Sequence, residues 1–118
     1  MNCLREMKKI IFIESSDIGV RYTAEATRKL GFSPLFLVNL CGVQGDTCTQ
    51  FAEEHRKGGS VLDCKTTNAQ EMFDVLVRNG IKPTEVLACL SFLDSRLLLV
   101  RELNALLNQV LKQQKTQP

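Results

Sequence analysis

The chain has 118 residues, of which 44% are apolar and 24% are charged, and its formal net charge is +2. This length is enough for one compact domain and too short for two. The near-balanced charge excludes the strongly basic character of nucleic-acid-binding proteins, and no apolar run is long enough to span a bilayer. The first nine residues lack the apolar core of a signal peptide, so we expect a cytoplasmic protein.

Cysteine usage favours free thiols. The number of cysteines is odd, their spacings are wide, and no C-x-x-C pair occurs, so neither disulfides nor a Cys/His zinc site is expected. A reactive cysteine would need a helix N-terminus or cationic neighbours, and Cys48, just after Asp46, is the only candidate. The five cysteines are Cys3, Cys41, Cys48, Cys64 and Cys89.

The first structured segment is a buried strand that leads into a helix. KIIFIE, residues 9–14, is a continuous apolar run of the kind that forms a strand buried on both faces. Asp17 is a candidate N-cap, and Gly31 is a candidate C-cap. The apolar residues between them recur at helical spacing and predict the buried stripe of this helix: Ile18, Tyr22, Ala26 and Leu30.

The middle of the chain repeats this strand–helix pattern twice. PLFLVNL, residues 34–40, is a second apolar strand, and Asp46 begins a helix that ends at Gly58 and Gly59. Residues 60–64 form a short third strand. Asn68 followed three residues later by Glu71 is a capping-box arrangement. The helix that it opens carries an apolar stripe and ends at Gly80; the stripe consists of Met72, Val75 and Leu76.

The fourth strand and the last helix complete the pattern. EVLACL, residues 85–90, is the strand, and Asp94 or Ser95 caps the helix that follows. The polar tail from about residue 112 is expected to fray. The apolar residues along one side of this helix are Leu99, Leu103, Leu106 and Val110.

Four buried strands that alternate with helices predict an α/β fold. We expect a single domain over residues 1–118, with a Rossmann-like, three-layer architecture. Its open parallel sheet would have the strand order 3-2-1-4 and helices on both faces. In such sheets, ligands bind beyond the carboxyl ends of the strands, where the strand order reverses. That point would lie between the first and the fourth strand.

Two polar loops would meet at this point and could hold a small polar ligand. The first follows strand one, and the second follows strand four. The alternative is that the same residues only cap their helices, because short polar side chains satisfy free N–H groups there. Arg96 is expected to be a solvated first-turn residue. The candidate ligand-binding residues of the two loops are Glu14, Ser15, Ser16, Gly19, Ser91 and Asp94.

Common catalytic and phosphate-binding motifs do not occur. Gly19 is the only glycine of the first loop, so G-x-G-x-x-G and the P-loop are excluded. A nucleophile elbow and an H-E-x-x-H helix are also missing. His55 is the only histidine, and its position in the pattern is remote from the two loops. We therefore expect no catalytic residue and no metal ligand within the chain.

The segment KKIIFIESSDIGVRYTAEATRKLGFSPLFLVN, residues 8–39, resembles the opening of one group of ATP-grasp ligases. These include biotin carboxylase and carbamoyl-phosphate synthase, and the unit is their pre-ATP-grasp domain. The resemblance extends over about residues 8–108, and its most specific part is Glu14-Ser15-Ser16 with Gly19. By the same resemblance, SVLDCKTTNAQEMFDVL contributes Thr66 to the ligand-binding set.

Departures from the family limit what the resemblance implies. Lys65 stands before Thr66 where the family has an acidic residue, and Phe92 and Leu93 interrupt the last turn. The lysines and carboxylates that bind Mg-ATP in an ATP-grasp fold have no counterpart in these residues. The resemblance therefore implies that the chain forms one wall of a ligase substrate site and is not an enzyme alone. It would meet ATP and magnesium only through an ATP-grasp partner.

The apolar character of the last helix predicts a protein partner. Its leucines and valines cover more than one helical face, so part of the surface is expected to remain outside the core. A second copy of the chain and a separate ATP-grasp subunit are equally good candidates to cover this surface. Two other functions stay open: a module that binds a small molecule without ligase activity, and a thiol-dependent enzyme that uses Cys48.

Overall fold

The computed structural model describes residues 8–13, 20–40, 45–56, 60–65, 68–91 and 96–116. Strands and helices alternate along the chain, as predicted, and their bounds differ from the sequence-based ones by only a few residues. A 3₁₀ turn, Pro83–Glu85, precedes the last strand. The elements are β1 (Lys9–Ile13), α1 (Val20–Lys29), β2 (Ser33–Val38), α2 (Asp46–Arg56), β3 (Ser60–Asp63), α3 (Ala69–Arg78), β4 (Val86–Leu90) and α4 (Leu97–Thr116).

The four strands form one parallel sheet in the order β3-β2-β1-β4, which confirms the predicted topology. Phe12 of β1 lies opposite Phe36 of β2 and Leu90 of β4. The register shifts between Lys9 and Ile10, so that Leu87 has no partner residue on β1. The central strands are buried along almost their whole length. This explains their continuous apolar sequences.

Helices cover both faces of the sheet. Alternate residues of the strands point to opposite faces and build two separate clusters. One cluster joins the sheet to α3 and α4, and its buried residues are Ile11, Ile13, Leu35, Leu37, Cys64, Ala69, Met72, Leu76, Val86, Cys89, Leu99, Leu103 and Leu107. The other joins the sheet to α1 and α2, and its buried residues are Ile10, Phe12, Val20, Ala24, Phe36, Val38 and Phe51.

The predicted buried face of α1 is wrong. Tyr22 and Leu30 are 79% and 73% exposed, Ala26 is also exposed, and Ile18 lies outside the described residues. The helix instead buries Val20, Ala24 and Thr27, on the opposite side. These smaller side chains leave room for the phenyl rings of the sheet. Thr27 satisfies its buried hydroxyl by donating to the backbone oxygen of Thr23 at 2.8 Å.

The predicted N-cap of α3 and the glycines after α1 and α3 agree with the structure, whereas α4 continues to Thr116, into the tail that was expected to fray from about residue 112. Asn68 is the N-cap of α3, and its side chain accepts a hydrogen bond from the backbone N–H of Glu71 at 3.1 Å. Gly31 and Gly80 follow α1 and α3 with φ of 90° and 78°, a conformation that glycine adopts without strain. Among the described helices, none combines the length and the apolar character that a membrane crossing requires.

Candidate functional site

The point where the strand order reverses lies between β1 and β4. These strands are parallel neighbours, and Phe12 pairs with Leu90 close to their carboxyl ends. The helices that follow them pack on opposite faces: Val20 of α1 lies in one cluster and Leu99 of α4 in the other. The connections 14–19 and 91–96 therefore leave the sheet from neighbouring strands and lead to helices on opposite faces. Ligands bind at such a switch point in α/β sheets, so this edge is the candidate ligand cleft.

The structure locates one of the residues that were predicted to bind a ligand. Ser91 is the first residue after β4, and it is half-buried beside the end of β1. The remaining predictions for this site stay predictions because their residues lie outside the described part of the chain. The same holds for the helix caps Asp17 and Ser95. The other predicted ligand-binding residues are Glu14, Ser15, Ser16, Gly19, Thr66 and Asp94.

Arg96, expected to be solvated, is a further polar residue at this edge. It stands directly before α4 and is half-buried rather than solvated. Its Nε is buried and has no hydrogen-bond partner among the described residues. A buried, unpaired N–H is costly, and a guanidinium is built to hold a carboxylate or a phosphate. The position of this arginine at the end of the switch-point connection was the signal that could have identified it.

Thiol chemistry is not supported at this edge. Cys89 of β4 is fully buried beneath α4, and this burial raises the pKa of its thiol to about 12. A thiol with such a pKa is almost never ionised near neutral pH. Cys64 is also buried, whereas Cys48 is exposed on α2. In the described part of the chain, no group of three or more His, Cys, Asp or Glu side chains could hold a metal ion.

The ion pairs connect elements of the fold to one another. Lys9 and Glu85 meet at 3.0 Å at the amino end of the sheet, away from the cleft. Arg21 and Glu53 pair at 2.7 Å between α1 and α2. Arg28 of α1 also binds Glu54, whose side chain is only 3% exposed. These pairs fasten neighbouring elements to one another, so their charges are used within the fold.

Two cavities open on the α3 side of the sheet, away from the carboxyl ends of β1 and β4. A groove of about 700 Å³ runs between the end of β3 and one side of α3, and it is lined by Asp63, Cys64, Lys65, Glu71, Asp74, Val75, Val77 and Arg78. A second cavity of about 460 Å³ lies between α3 and α4, and it is lined by Asn68, Ala69, Gln70, Glu102, Ala105, Leu106 and Gln109.

The arrangement defines a Rossmann-like α/β domain with a candidate ligand cleft at the switch point. No protein-family model, no curated protein and no solved structure matches the chain. The resemblance to the pre-ATP-grasp domain therefore stays a prediction that rests on the sequence.

Proposed function

We propose that the chain is a pre-ATP-grasp-like domain or subunit that forms one wall of the substrate site of an ATP-grasp ligase, of the carboxylate–amine or carboxylase type. The observation that carries the proposal is the pairing of β1 with β4. Because these strands are neighbours, the connections 14–19 and 91–96 begin at the same edge of the sheet. The proposal assigns substrate contacts there to the polar residues of both connections, together with Thr66.

In this proposal the chain is not catalytic alone. Formation of an acyl phosphate needs a magnesium-bound nucleotide and cationic groups that offset the developing negative charge. The proposal assigns ATP, magnesium and those cations to an ATP-grasp domain that closes over the cleft. This chain would contribute shape and hydrogen bonds to the substrate.

Exposed leucines beside the cleft support docking of that partner. Leu97 and Leu98, in the first turn of α4, are 54% and 65% exposed. Leu90, at the end of β4, is 43% exposed. The rest of the apolar side of α4 packs against the sheet or is half-buried, so the excess apolar surface is confined to the cleft end of the helix. An ATP-grasp domain must approach this end to complete the substrate site. A second copy of the chain is the alternative occupant.

Reconstitution tests the ligase proposal. An ATP-grasp chain encoded next to this one in the native genome is expected to co-purify with it and to hydrolyse ATP only when both chains and the substrate are present. Leu98→Asp should weaken the complex, whereas Leu30→Asp, at a comparably exposed leucine directly after α1, should not. Equal binding by both variants would reject this docking surface, and full ligase activity without this chain would reject the proposal.

A second function is favoured by Arg96: a module that binds a small anion without any ligase partner. The Nε of Arg96 is buried and has no partner among the described residues, and Arg96 stands at the end of the connection that follows β4. A carboxylate or a phosphate group of an amino acid or nucleotide would satisfy this donor and would gain a charge-assisted hydrogen bond.

Thermal-shift measurements separate the two functions. Ligand at a hundredfold excess over its Kd stabilises a protein by about 2.7 kcal/mol. A rise in Tm with an amino acid, a nucleotide or phosphate, in the absence of any partner, is expected for the anion module. The rise should be lost in Arg96→Gln and kept in Arg101→Gln, whose side chain is exposed on α4. A shift that survives Arg96→Gln would reject the role of Arg96.

A further inference from the structure

We infer that the chain binds an amphipathic helix of a second protein partner in a groove between α1 and β4, on the face of the sheet that α1 and α2 cover. The inference goes beyond the proposed function, because it concerns the side of α1 and β4 rather than the cleft end of α4, and the partner need not be a ligase. It rests on an uncovered face of β4, on a second apolar side of α1, and on cations at the amino end of the sheet.

Strand β4 is covered on one face only. Cys89 points towards α3 and α4 and is fully buried. Ala88 and Leu90 lie opposite Ile10 and Phe12 of β1, so they point to the other face of the sheet. There Leu90 is 43% exposed and Ala88 is half-buried. In the described part of the chain, no residue of β4 packs into the cluster beneath α1 and α2, so this face of β4 is uncovered.

Helix α1 has a second apolar side. Tyr22, Ala26 and Leu30 recur every four residues, and all three are exposed. Leu30 directly follows α1, and its N–H still donates to the backbone oxygen of Ala26 at 3.2 Å. Ala26 and Leu30 are each two residues from Arg28, which is about 200° around a helix, and Arg28 pairs with α2. Because α2 lies towards β3 and β4 forms the opposite edge, this apolar side of α1 faces β4.

The two surfaces together form the α1–β4 groove, with β4 as its floor and α1 as its wall. Parallel sheets carry helices on both faces. A helix is about 10 Å across, and neighbouring strands are about 4.8 Å apart. A helix placed beside α1 would therefore cover β4 as far as its outer edge. Its apolar stripe would be buried against both floor and wall, in the manner of a helix bound in a groove.

Cations at the amino end of the groove define the charge of the occupant. The Nζ of Lys8 donates to the backbone oxygen of Thr84 at 2.6 Å, just before β4. Lys8 stands two residues before Ile10, so it points to the face of the groove. Lys29, the last residue of α1, is exposed at the same end. The C-terminus of a helix carries partial negative charge. These cations therefore favour a helix that runs in the direction of α1 and ends in acidic residues.

The same charges disfavour a second copy of the chain as the occupant. Three of its helices have basic last turns, with Arg28 and Lys29 in α1, His55 and Arg56 in α2, and Arg78 in α3. The sequence of α4 also has lysines near its end, Lys112 and Lys115. Any of these helices, placed in the groove in the inferred direction, would bring like charges together. The complementary partner is a different protein.

Two synthetic peptides test the groove. Both are amphipathic helices of about 14 residues with leucines at helical spacing, and they differ only in the last turn, which is Glu-Glu in one and Lys-Lys in the other. Fluorescence anisotropy with the full chain is expected to show about fivefold tighter binding of the Glu-Glu peptide at low salt. The difference should shrink as salt screens the charges.

Substitutions locate the binding. Ala26→Glu places a carboxylate in the apolar wall and should weaken binding of the Glu-Glu peptide about tenfold or more. Ala52→Glu, at an exposed alanine of α2, is the matched control and should leave binding unchanged. Lys8→Glu should abolish the preference for the Glu-Glu peptide, whereas Lys65→Glu, at an exposed position beyond β3, should keep it. Circular dichroism confirms that each variant is folded.

Three outcomes would overturn the inference. Failure of both peptides to bind, or binding that Ala26→Glu leaves unchanged, would reject the groove. A dimer in sedimentation equilibrium that Ala26→Glu dissociates would assign the groove to a second copy. A preference for the Glu-Glu peptide that survives Lys8→Glu would reject the inferred direction of the helix. None of these outcomes affects the ligase proposal, which Leu98→Asp tests separately.

Discussion

The side-chain amide of Asn104 on α4 binds both backbone polar groups of Cys89 on β4. Its oxygen accepts the N–H of Cys89 at 2.9 Å, and its nitrogen donates to the C=O at 3.1 Å. The amide thus takes the place of a peptide group of a further strand. It fixes α4 against the edge of the sheet and closes that edge to other chains.

Asn104→Asp should destabilise the fold. A carboxylate can accept the N–H of Cys89 but cannot donate to its C=O, so an acceptor is left facing another acceptor. The expected loss in the free energy of unfolding is about 1–3 kcal/mol, measured by urea denaturation. Asn108→Asp, at an exposed position of the same helix, controls for the added charge. Equal losses in the two variants would show that the amide pairing contributes little.

Arg28→Met should destabilise far more than Arg21→Met, although both arginines of α1 pair with glutamates of α2. The side chain of Glu54, the partner of Arg28, is 3% exposed, and removal of Arg28 would leave its carboxylate buried and unpaired. We expect a loss of about 2–3 kcal/mol, because Arg28 itself is partly exposed and such losses are largest for fully buried pairs. The Arg21–Glu53 pair is exposed to solvent, so its loss is screened.

A second substitution separates burial from pairing. Arg28→Met/Glu54→Met removes both charges and should recover most of the stability that Arg28→Met loses. Thermal unfolding of the wild type, Arg21→Met, Arg28→Met and Arg28→Met/Glu54→Met provides the comparison. No recovery in the double variant would indicate that the cost comes from lost packing of the arginine side chain.

Glu85 should make stability fall in acid. Its hydrogen bond from Lys9 lowers the pKa of the Glu85 carboxyl below the ordinary value of 4.5. The ionised form therefore stabilises the folded state above pH 4.5, and this contribution disappears as pH falls through the folded pKa. Glu85→Gln should be less stable than wild type near neutral pH and should lose less stability below pH 4.5.

Urea denaturation at several pH values measures this difference. Glu25→Gln, at an exposed position of α1, serves as the control and should follow the wild-type profile. Parallel profiles for wild type and Glu85→Gln would contradict a contribution of the Lys9–Glu85 pair.

The cysteines should label in two classes. Cys48 is exposed and should react readily with iodoacetamide, whereas Cys64 and Cys89 are buried. With a pKa of about 12, about one Cys89 thiol in ten thousand is ionised at about pH 8. Peptide mapping after labelling of the native protein should find Cys89 unmodified, and denaturant should abolish this protection. An unusually fast Cys48 would revive the thiol-enzyme alternative.

The topology could be predicted from the sequence because burial on both faces leaves a continuous apolar pattern. The face of α1 could not be predicted, because both of its sides carry apolar residues at helical spacing. Tyr22 and Leu30 are larger than the residues on the other side of the helix, which would favour their burial. The buried face is instead the one with Ala24, because its small side chain fits against the phenyl rings of Phe12 and Phe36, whose centroids are 5.4 Å apart.

The polar contacts were harder to predict than the strands. Asn104 lies within a helix, where an asparagine carries no local signal, and its partner is 15 residues away. Arg96 stands in a first turn, where charged side chains are usually solvated. In both cases the deciding fact is the neighbour that the fold supplies, and a single sequence does not contain it.

The two layers of helices are attached to the sheet by different forces. The layer of α3 and α4 rests on the larger aliphatic cluster. The layer of α1 and α2 rests on a smaller cluster and is tied together by ion pairs. Salt screens the exposed Arg21–Glu53 pair but neither the buried carboxylate of Glu54 nor apolar burial to the same extent, so high ionic strength should loosen the contact between α1 and α2 first. Partial opening would then expose the aromatic side of the sheet while the aliphatic side stayed closed.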